Sequence, residues 1–246
     1  MQTRRIIELL SSGDFEPSAA EPDRAALELA RGDGRVLVVP TAVAPEGAQA
    51  VARIGRDAVH HFGALGVTAR LLPLLSRDDA FRPNLVADIA GASMIFLAGG
   101  QPAYLATTLL DTPFWSAVTA AADRGAAIAG CSAGMWVLGE LAPVSTITSL
   151  ADHTWVPGLR LVPNAVLAAH WEALDSFLPG LQGVVQAAIP QRWTLVAIEE
   201  RTAAIGDGID WEVFGRGVVV VARAGHRLTF RRGERFRLPA IGATDR

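Results

Sequence analysis

One cysteine in 246 residues leaves no internal disulfide and no paired thiols for a metal, so nothing in the chain points to an oxidising compartment. Charge of either sign is scarce: 19% of residues are charged and the net charge is -3. That balance argues against a nucleic-acid partner, which would require a clustered basic face. No stretch approaches the roughly 18 apolar residues of a membrane span. The opening residues, Met1 to Pro17, carry too short an apolar run for a secretory h-region. A cytoplasmic protein with no membrane or nucleic-acid partner is expected. Metal-ligand spacing is also missing, with no H-x-x-x-H pair and no acidic calcium-type loop. Tripeptides such as Gly206-Asp207-Gly208 lack the full dinucleotide fingerprint, so no metal and no cofactor are implied.

What is present in quantity is apolar surface. Half of the residues are hydrophobic, enough for a sizeable core, and the length suits one α/β domain over residues 1–246. Strand-like and helix-like segments alternate from about residue 27 to 200. Val36 to Val39 and Ser93 to Leu97 are short buried-strand runs, and Ala126 to Ala129 is a third made of small residues. Residues 46–65 carry apolar groups at helical spacing, and Leu85 to Ala90, Ala103 to Leu110 and Phe114 to Ala122 also read as helices. The last pair is separated by Asp111-Thr112-Pro113. Further strands are expected over Leu159 to Leu167, Thr194 to Ile198 and Ala203 to Ile205, with a helix around Ser176 to Ala188. This rhythm predicts a three-layer α/β fold, a mostly parallel sheet with helices on both faces. Residues 207–246 change to short strands punctuated by Gly225 and Gly233, a small antiparallel extension. The first 25 residues, with Pro17 and Pro22, read as a loose arm.

The chemistry-bearing segment is Gly130-Cys131-Ser132-Ala133-Gly134, a G-x-S-x-G immediately after a strand and opening a helix. A turn that sharp forces its central residue into strained backbone space and needs small neighbours. It lifts the Ser132 hydroxyl off the sheet and points the Ala133 N–H toward any oxyanion that forms. Cys131 is the better nucleophile in isolation, but it precedes the apex and should turn inward as a small buried hydrophobe. Upstream, the strand ending at Leu97 and Ala98 runs into Gly99-Gly100-Gln101-Pro102, where an N–H of the double glycine would complete an oxyanion hole. A serine nucleophile needs a base. Of five histidines, His60 and His61 lie within a helix and read as surface residues, and His226 sits at an exposed hairpin. His153 is a rival in an irregular stretch. His170 ends a strand and is followed by Trp171, the placement that best suits a base.

FLAGGQPAYL followed by GCSAGMWVLG resembles the serine-peptidase family of cyanophycinase and aspartyl dipeptidase, in the class I glutamine amidotransferase-like (flavodoxin-like) superfamily. The similarity runs from about Val36 to Ile205 and is most specific over residues 95–139. The resemblance implies hydrolysis of small peptides or peptide-like amides, with Ser132 as nucleophile and His170 as base. It implies Gly100 and Ala133 as oxyanion donors, and Gly99 and Gln101 against the substrate. Ile198-Glu199-Glu200-Arg201-Thr202-Ala203 is similar to the family's acidic segment and places Glu200 as the residue that orients the histidine, with Glu199 and Asp152 as alternatives. The chain departs from the family after His170, where Trp171-Glu172-Ala173-Leu174-Asp175 has two acids and no arginine, so an anionic substrate would be repelled there. A Cys131-dependent amidotransferase-like enzyme and an inactive ligand-binding homologue are the alternative readings. A homodimer is compatible with the sequence.

Overall fold

Ile6-Ile7-Glu8-Leu9-Leu10 is a strand interrupted by one acid, and it is buried along its whole length. In a computed structural model, which describes residues 4–144 and 154–239, this strand β1 (Ile6–Leu10) stands inside an eight-stranded sheet. On one side of it β5 (Ala127–Cys131), β4 (Met94–Leu97), β2 (Arg35–Val39) and β3 (Thr68–Leu71) follow in that order, all parallel. On the other side β10 (Thr202–Gly206), β11 (Asp210–Gly215) and β14 (Arg235–Arg237) run antiparallel.

The period-two alternation of the strands sorts their side chains into two cores. Ile7, Leu9, Leu37, Val39, Ile95, Leu97 and Ile128 join one cluster, under α3 (Pro83–Asp88), α4 (Pro102–Leu109) and α5 (Pro113–Arg124). Ile6, Leu10, Val36, Val38, Met94, Phe96 and Ala129 join the other, under α1 (Ala20–Leu29) and α2 (Ala48–Ala64). Ile54, Ala58 and Phe62 recur every four residues and form the buried stripe of α2. Asp111-Thr112-Pro113 is the start of α5, where the Thr112 hydroxyl accepts the Trp115 N–H at 3.2 Å. The expected mostly parallel sheet with helices on both faces is what the chain builds.

Four expectations are corrected. The first 25 residues are not a loose arm. They supply a buried strand and much of α1, and both prolines sit where helical turns begin: Pro17 opens the 3-10 turn Pro17–Ala19 and Pro22 lies in the first turn of α1. The strand expected over 159–167 shortens to β8 (Ala165–Ala168), which pairs with β9 (Thr194–Ile198) in a second sheet. There β12 (Val218–Arg223) and β13 (His226–Arg231) complete the order β13-β12-β9-β8, so the antiparallel tail is divided between two sheets. The helix expected around 176–188 is two, α7 (Trp171–Phe177) and α8 (Leu181–Ala188), broken at Pro179-Gly180. A short hairpin pairs β6 (Leu141–Pro143) with β7 (Trp155–Pro157). No helix among the described residues is long and apolar enough to cross a membrane.

His61 is the fourth correction: it is buried, not at the surface, and its Nε2 lies 2.6 Å from Asp23 Oδ2. Beside them Glu8 is wholly buried, and neither its oxygens nor Asp23 Oδ1 meets a donor among the described residues. Burial first, and then the Asp23 carboxylate, push the Glu8 carboxyl well above its ordinary 4.5; burial raises Asp23 as well, against the pull of His61. A proton held on Glu8 and shared with Asp23 supplies the missing donor. The native state therefore keeps a proton that the unfolded chain loses above about pH 4.5, and stability falls as pH rises from there toward the raised value. Glu8→Gln, which keeps a donor for Asp23 without a titrating group, is expected to be more stable than the wild type near neutral pH by on the order of 1–2 kcal/mol. That advantage should vanish as pH falls toward 4; urea unfolding of both proteins across pH 4–8 checks it, and a pH-independent difference would refute the shared proton.

Candidate active site

The parallel strands end along one edge, and the loops that leave it meet there: Ser11 to Asp14 after β1, Gly99-Gly100 after β4 and Ser132 after β5. Such an edge is where open α/β sheets hold their ligands. Ser132 has φ 51° and ψ -111°, a strained conformation for a residue with a side chain. Its N–H donates to the Leu10 carbonyl at 3.0 Å, carrying the β1–β5 ladder one residue beyond the strand. Its carbonyl accepts from the Trp136 N–H at 3.0 Å, so the turn is clamped on both sides. A Cβ on Gly130 would lie 2.4 Å from the Gly134 oxygen, and one on Gly134 would lie 2.0 Å from the Leu97 oxygen. Both flanking glycines are therefore required by space. The helix that follows, α6 (Ala133–Trp136), is one turn long, so free N–H groups rather than a macrodipole are what it offers.

His170 leaves β8 in the left-handed region, φ 56° and ψ 37°. It is held there by a residue 159 positions away in sequence: its N–H donates to Ser11 Oγ at 2.7 Å, while the Ser11 hydroxyl donates to the Ile198 carbonyl at 2.8 Å. Ser11 thus ties the second sheet to the first at the point where they meet. Across that seam His170 Nε2 lies 2.8 Å from Ser132 Oγ, and Nδ1 lies 3.2 Å from Glu200 Oε1. With Nδ1–H donated to the carboxylate, Nε2 is left to accept from the serine hydroxyl. Glu199, the neighbour, instead accepts the Val218 N–H at 2.9 Å and serves the β9–β12 pairing.

Gly100 has φ 138°, and a Cβ there would meet the Ala42 carbonyl at 2.4 Å. Among the described residues neither the Gly100 N–H nor the Ala133 N–H has a hydrogen-bond acceptor. The Gly99 N–H is already committed, at 2.6 Å, to Asp14 Oδ2. Gln101 has an exposed side chain outside the cleft lining, and its N–H donates to the Ala42 carbonyl at 2.8 Å. Ser132, His170, Gly99 and Gly100 open on a cleft of about 610 Å³. A larger hollow of about 790 Å³ lies elsewhere, beside Arg4, Arg5 and Arg235; these arginines pair with Asp207, Asp123 and Glu212, and no serine or histidine lines it.

Peptidase family S51 matches residues 7–210 of the chain. The chain belongs to peptidase family S51. It is 25% identical over 191 residues to the cyanophycinases of Nostoc sp. and Trichormus variabilis, matching 73% of this chain and 61% of each relative. The S51 chain thus spans less than two thirds of the length of those curated relatives. The crystal structure of a peptidase from an acI-B1 Actinobacterium superposes with a TM-score of 0.87 at 26% identity, covering 96% of this chain and 97% of that one. A putative peptidase E from Listeria monocytogenes EGD-e shares the fold, with a TM-score of 0.59 at 16% identity.

The S51 chain differs from the sequence reading in two particulars of its site, the acids after His170 and the turn after β1, and agrees with it on Cys131. Glu172 and Asp175 do not face the cleft. Both Glu172 oxygens accept the Glu200 N–H, at 2.9 and 3.0 Å, and Asp175 accepts the Gln182 N–H at 2.9 Å. Glu172 thus fixes the backbone that carries Glu200. Cys131 turns into the core, fully buried, and burial first, then the Asp14 carboxylate, push its thiol well above the ordinary range. A buried thiol in that state is a poor nucleophile, which favours Ser132 over Cys131. Ser11 and Asp14 were missed because the segment before residue 25 was read as an arm; Ser11-Ser12-Gly13-Asp14 after an apolar run is itself a strand-then-turn signal. His60 and His226 are exposed as expected. Asp152 and His153 lie outside the described residues. No group of three or more His, Cys, Asp or Glu among the described residues is placed to hold a metal ion.

Proposed function

We propose that this chain is a serine peptidase that hydrolyses small peptides or peptide-like amides, with Ser132 as nucleophile, His170 as general base and Glu200 as the group that orients His170. The observation that carries this reading is the 2.8 Å approach of Ser132 Oγ to His170 Nε2, on a residue whose backbone is held in strained space at a sheet edge. Oγ attacks the scissile carbonyl as its proton passes to Nε2, and Glu200 stabilises the imidazolium that results. The Gly100 and Ala133 N–H groups receive the oxyanion; one such donor is commonly worth about 10²–10³ in kcat. The tetrahedral intermediate collapses as His170 returns the proton to the departing amine. A water molecule, deprotonated by His170 in turn, then attacks the acyl-enzyme and releases the acid.

Labelling tests the assignment. A fluorophosphonate is expected to modify the wild type on the tryptic peptide containing Ser132, with loss of peptidase activity in step with labelling. Iodoacetamide should leave activity intact, since Cys131 is buried. Turnover that survives complete fluorophosphonate treatment, or a label mapped to another serine, would overturn the proposal.

A further inference from the structure

We infer that Asp14 is a specificity-determining residue, pairing with a cationic group, ammonium or guanidinium, on the peptide bound over Ser132. This inference rests on the serine-peptidase reading above and adds the charge class of the substrate. Asp14 ends the turn that leaves β1, and its Oδ2 is anchored by the Gly99 N–H at 2.6 Å. The position a Cβ would take on Gly99 lies 3.2 and 3.3 Å from the two Asp14 oxygens and 3.4 Å from the Ser132 Cβ. Carboxylate and nucleophile therefore flank one glycine, and a peptide whose carbonyl sits over Ser132 passes beside Asp14. The anchoring bond uses one of roughly four acceptor positions on the carboxylate. Among the described residues Asp14 forms no ion pair with an arginine or histidine.

The surroundings set a single arginine against several acids. Of the side chains lining the cleft, Glu16, Glu46 and Asp57 are acidic and Arg53 is the cation. Behind Asp14 lie the buried carboxyls of Glu8 and Asp23, and the Asp14 charge is felt at Asp23 and at Cys131. A concave site lined largely by one sign, backed by a low-dielectric interior, draws the opposite sign toward it. An ammonium or guanidinium placed at Asp14 gains a charge-assisted hydrogen bond, whereas a substrate carboxylate there meets like charge at short range. The same contact removes the Gly99 N–H from oxyanion duty, which gives Asp14 a second consequence: it assigns that duty to Gly100 and Ala133.

Four p-nitroanilides separate the sources of the cation: alanyl with a free amine, N-acetyl-alanyl, N-acetyl-arginyl and N-acetyl-aspartyl. For the wild type, at least one cationic substrate should exceed N-acetyl-alanyl in kcat/KM by about tenfold or more, the worth of one hydrogen bond to a charged group. A preference for free alanyl assigns the α-ammonium, and a preference for N-acetyl-arginyl assigns the side chain. In Asp14→Asn, which keeps an acceptor for the Gly99 N–H, that ratio should fall to about two or less, chiefly through KM. Added salt should erode the wild-type preference in the same direction, a test that needs no variant. A wild type that labels with fluorophosphonate but prefers N-acetyl-aspartyl, or ignores charge, overturns this inference alone. So does an unchanged ratio in Asp14→Asn. A wild type that neither labels nor turns over overturns the serine-peptidase reading, and this inference with it.

Discussion

Ser132→Ala is expected to lower kcat on any peptide the wild type cleaves by about 10⁴- to 10⁶-fold, the range seen when a serine nucleophile is removed from a working triad. The fold should survive the change. Among the described residues the Ser132 side chain has one hydrogen bond, to His170, and the strain of its backbone is carried by the Leu10 and Trp136 contacts, which alanine retains. Thermal unfolding should therefore shift by no more than about 1 kcal/mol equivalent. His170 and the two free N–H groups remain in place, so peptide binding should persist while turnover disappears. Single-turnover kinetics beside calorimetry make the comparison. A variant retaining even a hundredth of wild-type kcat would remove Ser132 from the role proposed for it.

Gly134→Ala is expected to be the most damaging glycine-to-alanine change among the described residues. The added carbon would stand 2.0 Å from the Leu97 oxygen, 2.8 Å from its carbonyl carbon and 3.0 Å from its Cβ. The first two are β4 backbone atoms inside a sheet and the third is the root of the Leu97 side chain, so no flexible side-chain end can swing aside. Either β4 or α6 must move, and overpacking against backbone costs about 3 kcal/mol or more. For a chain of this size that corresponds to a fall in Tm on the order of 10 °C. What folds should also turn over slowly, because α6 carries the Ala133 N–H and Leu97 leads directly into Gly99-Gly100. Gly183→Ala supplies the contrast: it lies in α8 with nothing within 4 Å of the added carbon, so replacement should be neutral or mildly stabilising. Equal Tm values for the two variants would refute the close approach of α6 to β4.

The elbow was readable in one dimension because every constraint on it is local. A strand, a tight turn and a helix start within fifteen residues demand small flanking residues, and G-x-S-x-G declares them. His170 was readable for a similar reason, as a strand end. The choice between Glu199 and Glu200 was open, since adjacent residues on an extended chain point opposite ways and only the pairing of β9 with β12 assigns Glu199 to the Val218 N–H. Glu172 shows the reverse case. Its charge suggested repulsion of substrate, but its carboxylate is spent on the backbone of Glu200, 28 residues away.

By itself, the order of residues determined the α/β class, the parallel strands leading to the site and the serine at the apex, because hydrophobic period and turn chemistry act over a few neighbours. Only tertiary structure decided that residues 6–10 lie at the heart of the sheet, since a five-residue run with a central acid carries no period strong enough to declare itself. It also decided that β8 and β9 leave that sheet for a second one, that Ser11 holds His170 from 159 residues away, and that Asp14 stands beside Ser132. Those outcomes depend on which strand ends meet, and strand pairing is a choice among distant partners that no local pattern encodes.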